Sequence, residues 1–116
     1  MKYQFKKNTV HLIESKHTKD SLIPSKGDIK DGLLKMILYC NLEKVMIGNL
    51  EYKPKAVLNL TSTKIVGKLK SGDSQNKIEK FLSLNKIISS KQKFILDLFN
   101  EAETNNFKII IQSVKR

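Results

Sequence analysis

A carboxylate and an amine two residues apart, Glu14 and Lys16, end the apolar run Thr9-Val10-His11-Leu12-Ile13. If that run is a strand, successive side chains alternate: Leu12, Glu14 and Lys16 share one face, and His11, Ile13 and Ser15 the other. Glu14 is then placed to ligate a hard cation such as Mg2+, which prefers oxygen donors and keeps several waters. The main-chain carbonyl of Ser15 offers a second oxygen. Asp20, in the loop just after the strand, is the acid that needs least movement to reach Glu14. Lys16 beside such an ion can position or activate an attacking water and stabilise charge building on a phosphate. A solvated strand end is the plainer reading of the same triplet.

Other candidate constellations are weaker. His11 and His17 flank Glu14 but fall on the opposite strand face, so a shared histidine and glutamate site is geometrically poor. Gly27 and Gly32 lack the spacing of a phosphate-binding loop. Tyr3 and Phe5 could stack on bases, yet packing is the better expectation so near a terminus. Cys40, the single cysteine, reads as a small buried core residue.

The elements that must position the triplet can be read from periodicity. Residues 8–16 form a strand, and Leu22 to Asp28, with its Pro and Gly, forms a loop. A helix over about residues 28–41 carries the stripe Ile29, Leu33, Met36, Ile37 and Cys40, with Ser25 or Asp28 as its N-cap. Lys44 to Ile47 and Ala56 to Leu60 read as strands, with Asn49 to Pro54 turning between them. Ile65-Val66 could extend a hairpin, and Ser71-Gly72-Asp73 is a turn. Asp73 or Ser74 caps a short helix with Ile78, Phe81 and Leu82. Ser89 or Ser90 caps a longer one, striped by Phe94, Ile95, Leu98, Phe99 and Ala102, which Asn105-Asn106 ends. Phe107 to Val114 closes the chain as a strand whose unbroken isoleucines suit cover on both faces. The order predicts a single α/β domain over residues 1–116, a mixed β-sheet flanked by helices.

Composition narrows the classes. The chain has 116 residues, 40% of them hydrophobic, enough for one modest core. No apolar window reaches the roughly 18 residues of a membrane span, and the N-terminus lacks the apolar stretch of a signal peptide. No disulfide framework can form within the chain, so a cytoplasmic, intracellular protein is expected. The net charge is +11, and Arg116 is the only arginine among 22 basic residues. Lysines spread along the chain suit a polyanion held by its phosphates, or merely a solvated surface. With so little arginine, backbone tracking is a better expectation than reading of base edges. DNA is the expected partner, and Lys19, Lys26 and Lys30, around the loop and helix start after the triplet, are the candidates to hold it.

The segment Ile13-Glu14-Ser15-Lys16-His17, followed by Ile23 through Met36, resembles the centre of the PD-(D/E)xK type II restriction endonucleases over about residues 9–62. The resemblance implies a restriction-endonuclease-like partial core, with Glu14 as acidic metal ligand, Lys16 as catalytic lysine and Mg2+ as cofactor. It also implies a second acidic ligand, the Asp of the PD motif, on a preceding strand or hairpin. The thirteen residues before Glu14 contain no Asp or Glu. Three explanations stay open: a piece of a longer endonuclease that is inactive alone, a partner chain that supplies the acid, or a downstream substitute among Asp20, Asp28 and Asp31. Asp28 and Asp31 read better as cap and dipole partners of the helix. A basic binding or protein-interaction module without catalysis is the alternative from another class. An exposed sheet edge would also favour a homodimer.

Overall fold

A computed structural model of the chain describes residues 2–6 and 8–114. Its elements run β1 (Lys2–Lys6), β2 (Thr9–Thr18), α1 (Lys26–Cys40), β3 (Val45–Ile47), β4 (Leu50–Ser62), β5 (Lys68–Lys70), α2 (Gln75–Leu84), α3 (Ser89–Asn105) and β6 (Lys108–Ser113). The strands form one mixed sheet in the order β1-β2-β4-β6-β5, with β3 paired to β4. β2, β4 and β6 are parallel neighbours, and β1 and β5 close the two edges antiparallel. The expected mixed α/β sheet flanked by helices is therefore present.

Both parallel connections step in the same direction across the sheet, β2 to β4 through α1 and β4 to β6 through α2 and α3. Right-handed crossovers stepping one way put their helices on one face. The core agrees. Ile29 and Met36 of α1, Phe81 of α2, and Ile95 and Phe99 of α3 cluster with Ala56, Leu58 and Leu60 of β4 and Ile109 and Ile111 of β6. Ile110, which points the other way, is only half-buried. The isoleucine run of β6 is thus covered on one face, not two, because every helix lies on the same side.

The stripe of α1 is turned slightly from the expected one. Ile29, Gly32 and Met36 are its buried residues, while Ile37 is 55% exposed and Cys40 is exposed as well. Gly32 accounts for the rotation. A Cβ there would stand 2.6 Å from Leu58 Cδ1, so only glycine lets the helix backbone settle so close to β4. That face turns inward and carries Cys40 out of the core. Ser25 is the N-cap, its Oγ accepting from the Asp28 N–H at 3.2 Å.

Other boundaries differ for local reasons. β1 was not expected from sequence; its five residues pair with β2 from Lys6↔Thr9 to Lys2↔Ile13. Tyr3 packs edge-on against Phe5, and Phe5 against Tyr52 at 4.8 Å between ring centroids. The turn between β3 and β4 is only Gly48-Asn49, with Gly48 at φ 62°, so Pro54 falls inside β4. Pro54 is tolerated because β6 pairs with β4 only from Val57 onward, leaving that stretch of β4 without a ladder to β6. The edge strand after β4 forms at 68–70 instead of at Ile65-Val66, since Ile65 is drawn into the core and the Val66 N–H bonds Asn85 Oδ1. Ser74 caps α2 as expected, whereas α3 starts from Ile88 with no side-chain cap. Asn106 ends α3 in the left-handed conformation, φ 60°.

Candidate functional site

Glu14 and Lys16 are side by side on β2, next to Leu58 and Leu60 of β4, both fully buried. Their side chains therefore point to the helix layer, and α1 meets them there. On α1 the polar residues Asp31, Lys35 and Tyr39 recur every fourth position, which lines them up on the flank facing β2. Lys16 Nζ donates to Asp31 Oδ2 at 2.6 Å and lies 3.7 Å from Glu14 Oε2. Lys35 Nζ stands 4.0 Å from the same Glu14 oxygen. The four side chains alternate in sign along the seam between strand and helix.

Exposure differs along this line. The Glu14 side chain is 12% exposed and that of Asp31 54%. The hydrogen bond to Asp31 holds the Lys16 ammonium above its ordinary pKa, with the nearby charges of Asp31, Glu14 and Asp28 adding to it and partial burial opposing. Asp31 is correspondingly held below the ordinary carboxylate range, first by that bond and then by the Lys16 charge. Burial, aided by the Glu14 carboxylate, pushes the Tyr39 phenol up. Lys16 is thus a firmly protonated cation. It suits stabilisation of negative charge and not removal of a proton.

The remaining sequence candidates fall on both sides of the sheet. The Ser15 side chain faces away from α1, its Oγ accepting from Asn59 Nδ2 at 3.2 Å, while Asn59 Oδ1 accepts from Gln112 Nε2 at 2.7 Å. His17 shares that opposite face. Its Nδ1 is 2.6 Å from Thr61 Oγ1, and its buried Nε2 has no hydrogen-bond partner among the described residues. Asp20 is exposed in the loop, with its N–H on Thr18 Oγ1 at 3.4 Å. Lys19 and Lys30 are exposed, and Lys26 lies 5.6 Å from the Phe94 ring centroid in a cation–π contact. Of the three acids considered as substitutes, Asp31 is the one brought to Lys16. Asp28 stays at the helix start, where its N–H serves the Ser25 cap. The signal for Asp31, Lys35 and Tyr39 lay in their spacing, which marks a second, polar flank beside the apolar stripe of the helix.

Magnesium implied by the resemblance can be tested against this donor set. Glu14 and Asp31 provide carboxylate oxygens, but both lie within salt-bridge distance of one ammonium, which takes the place a cation between them would need. Among the described residues there is no group of three or more His, Cys, Asp or Glu side chains that could hold a metal ion. On β1 the described residues that share Glu14's face are Tyr3 and Phe5, neither acidic. Among the described residues, Glu14 and Asp31 alone do not complete the donor set of a magnesium ion. Among the described residues no helix is long and apolar enough to cross a membrane. No protein-family model, curated protein or solved structure matches the chain.

Proposed function

We propose that the chain is a basic, DNA-associated α/β module carrying one arm of a PD-(D/E)xK nuclease site and unable to hydrolyse DNA alone. The observation that carries this reading is the position of Lys16, held between Glu14 and Asp31, with no group of three or more His, Cys, Asp or Glu among the described residues that could hold a metal ion. The β2-α1-β4 unit, with Glu14 and Lys16 facing the helix, supports a restriction-endonuclease-like partial core. The charge of +11 supports the DNA partner, since lysines that neutralise phosphates release condensed counterions. Hydrolysis would need a further acid next to Glu14, supplied by a longer polypeptide or by a partner chain.

Two assays test this. In a plasmid-nicking assay with Mg2+ or Mn2+, wild type and Glu14→Ala should both leave the plasmid intact. Cleavage by wild type that Glu14→Ala abolishes would show a complete nuclease and overturn the inactive reading. Duplex binding with EDTA present should persist and weaken steeply with salt. A flat response from low to moderate salt would remove the phosphate-binding claim.

A further inference from the structure

The sheet face turned away from the helices has a charge pattern of its own. Four cross-strand rows can be followed through the registers: Gln4-His11-Lys55, Lys2-Ile13-Val57-Lys108, Ser15-Asn59-Ile110-Lys70 and His17-Thr61-Gln112-Lys68. Lys53, opposite Thr9, shares the face one step before Lys55. Lysines thus rim a centre of half-buried Ile13 and Ile110, buried Val57 and the hydrogen-bonded chain Ser15-Asn59-Gln112. None of these four rows contains an Asp or Glu, and Glu51, the next residue of β4 on this face before Lys53, lies 3.9 Å from Lys44 Nζ. No described ion pair involves Lys2, Lys53, Lys55, Lys68, Lys70 or Lys108.

Position adds to composition. At the end of the sheet, where β4 extends beyond the start of β6, an open groove of about 560 Å³ reaches from Lys53, Lys55, His11 and Lys108 round to Ala102 and Glu103 at the end of α3, Glu103 being its single acid. Lys2 and Lys108 end one row three strand spacings apart, about 14 Å at ~4.8 Å per spacing. That span is comparable to the ~12 Å width of the B-DNA major groove, so lysines at both ends can reach phosphates of two strands. The rows carry no Phe, Tyr or Trp side chain on which splayed bases could stack, which disfavours a single strand as the ligand.

We infer that this uncovered sheet face is the binding surface for the phosphate backbone of a nucleic-acid duplex, independent of sequence and metal. The inference rests on the DNA-associated reading but moves its contacts from Lys19 in the loop after β2, and Lys26 and Lys30 on α1, to the open sheet face. It also separates the bound duplex from Glu14 and Lys16, which point into the helix layer.

The test uses two charge-matched triple variants of the full chain: Lys55→Gln/Lys68→Gln/Lys108→Gln on the open face, and, as the helix-side variant, Lys19→Gln/Lys26→Gln/Lys30→Gln in the loop after β2 and on α1. All six lysines are exposed, and circular dichroism checks that both variants are folded. Fluorescence anisotropy with a 20-bp duplex in EDTA gives affinity and its salt slope. The open-face variant should bind at least about tenfold more weakly, with the slope of log K on log[salt] reduced by about three, one per lost phosphate contact. The helix-side variant should keep the wild-type slope. Equal losses in both variants, or a loss confined to the helix side, would overturn the placement while leaving the DNA-associated reading intact. Absence of duplex binding at low salt would overturn both. A single-stranded 20-mer bound as tightly as the duplex, or anionic phosphatidylserine vesicles that displace it, would overturn the choice of duplex.

Discussion

Lys16 is held by two carboxylates of unequal exposure, and the imbalance decides how it behaves. The exposed pair with Asp31 is worth little by itself, since solvent screens it. Its effect on protonation has a definite sign. Asp31 is held down, so its contribution to stability is present above the unfolded carboxylate pKa of about 3.9 and is lost as pH falls through the folded value. Lys16 is held up, so its contribution is complete below about pH 10.4 and disappears as pH rises through the folded value. Asp31→Asn should therefore be less stable than wild type at neutral pH, by a margin that shrinks as pH falls below about 3.9. Urea midpoints at pH 3 and pH 7 check this; a gap that persists unchanged at pH 3 would exclude the pair as its source. The sequence placed Glu14 and Lys16 on one strand face, and the structure puts them there. It could not show that the acid meeting Lys16 is Asp31. That contact spans 15 positions of chain and depends on where α1 docks.

At the scale of the element, the docking of α1 depends on one glycine. Gly32→Ala should gain up to about 1 kcal/mol of helix propensity. The new Cβ would meet Leu58 Cδ1 at 2.6 Å, and overpacking of a full core costs roughly 1–3 kcal/mol. Net destabilisation of about 1 kcal/mol is expected by urea denaturation, and Leu58→Val should relieve it in a double-mutant cycle. An additive cycle would show that the close approach does not limit the packing. The same contact explains where sequence reading of α1 stopped. A period of 3.6 gives the existence of a helix and an apolar side, and it placed Ile29 and Met36 inside. The last few tens of degrees came from Gly32, so Ile37 and Cys40 fell outside. β1 was illegible for a related reason: its alternation is Lys2-Tyr3-Gln4-Phe5-Lys6, and its aromatics stay largely exposed, held by Tyr52 from a strand far along the chain.

Across the whole molecule, two parallel crossovers stepping in one direction leave the sheet with a covered and an uncovered face. Helical cover gathers Glu14, Lys16, Asp31 and Lys35 on one side, and alternation sends Lys55, Lys68 and Lys108 to the other. The even spread of lysine along the sequence hid this, because strand register alone assembles those residues into one rim. The same registers fix a boundary within β2. Among the described residues its ladder with β1 runs as far as Lys2↔Ile13, while its ladder with β4 continues to Thr18↔Ser62. One strand should therefore show two lifetimes in amide hydrogen exchange. Between Thr9 and Ile13 both flanks are paired and protons should be retained together. From Ser15 to Thr18 alternate amides point beyond the last β1 partner and should exchange orders of magnitude sooner, at rates set by local opening and not by global unfolding. Uniform protection along all of β2 would mean that another strand of the same or a second chain lies against that half in solution.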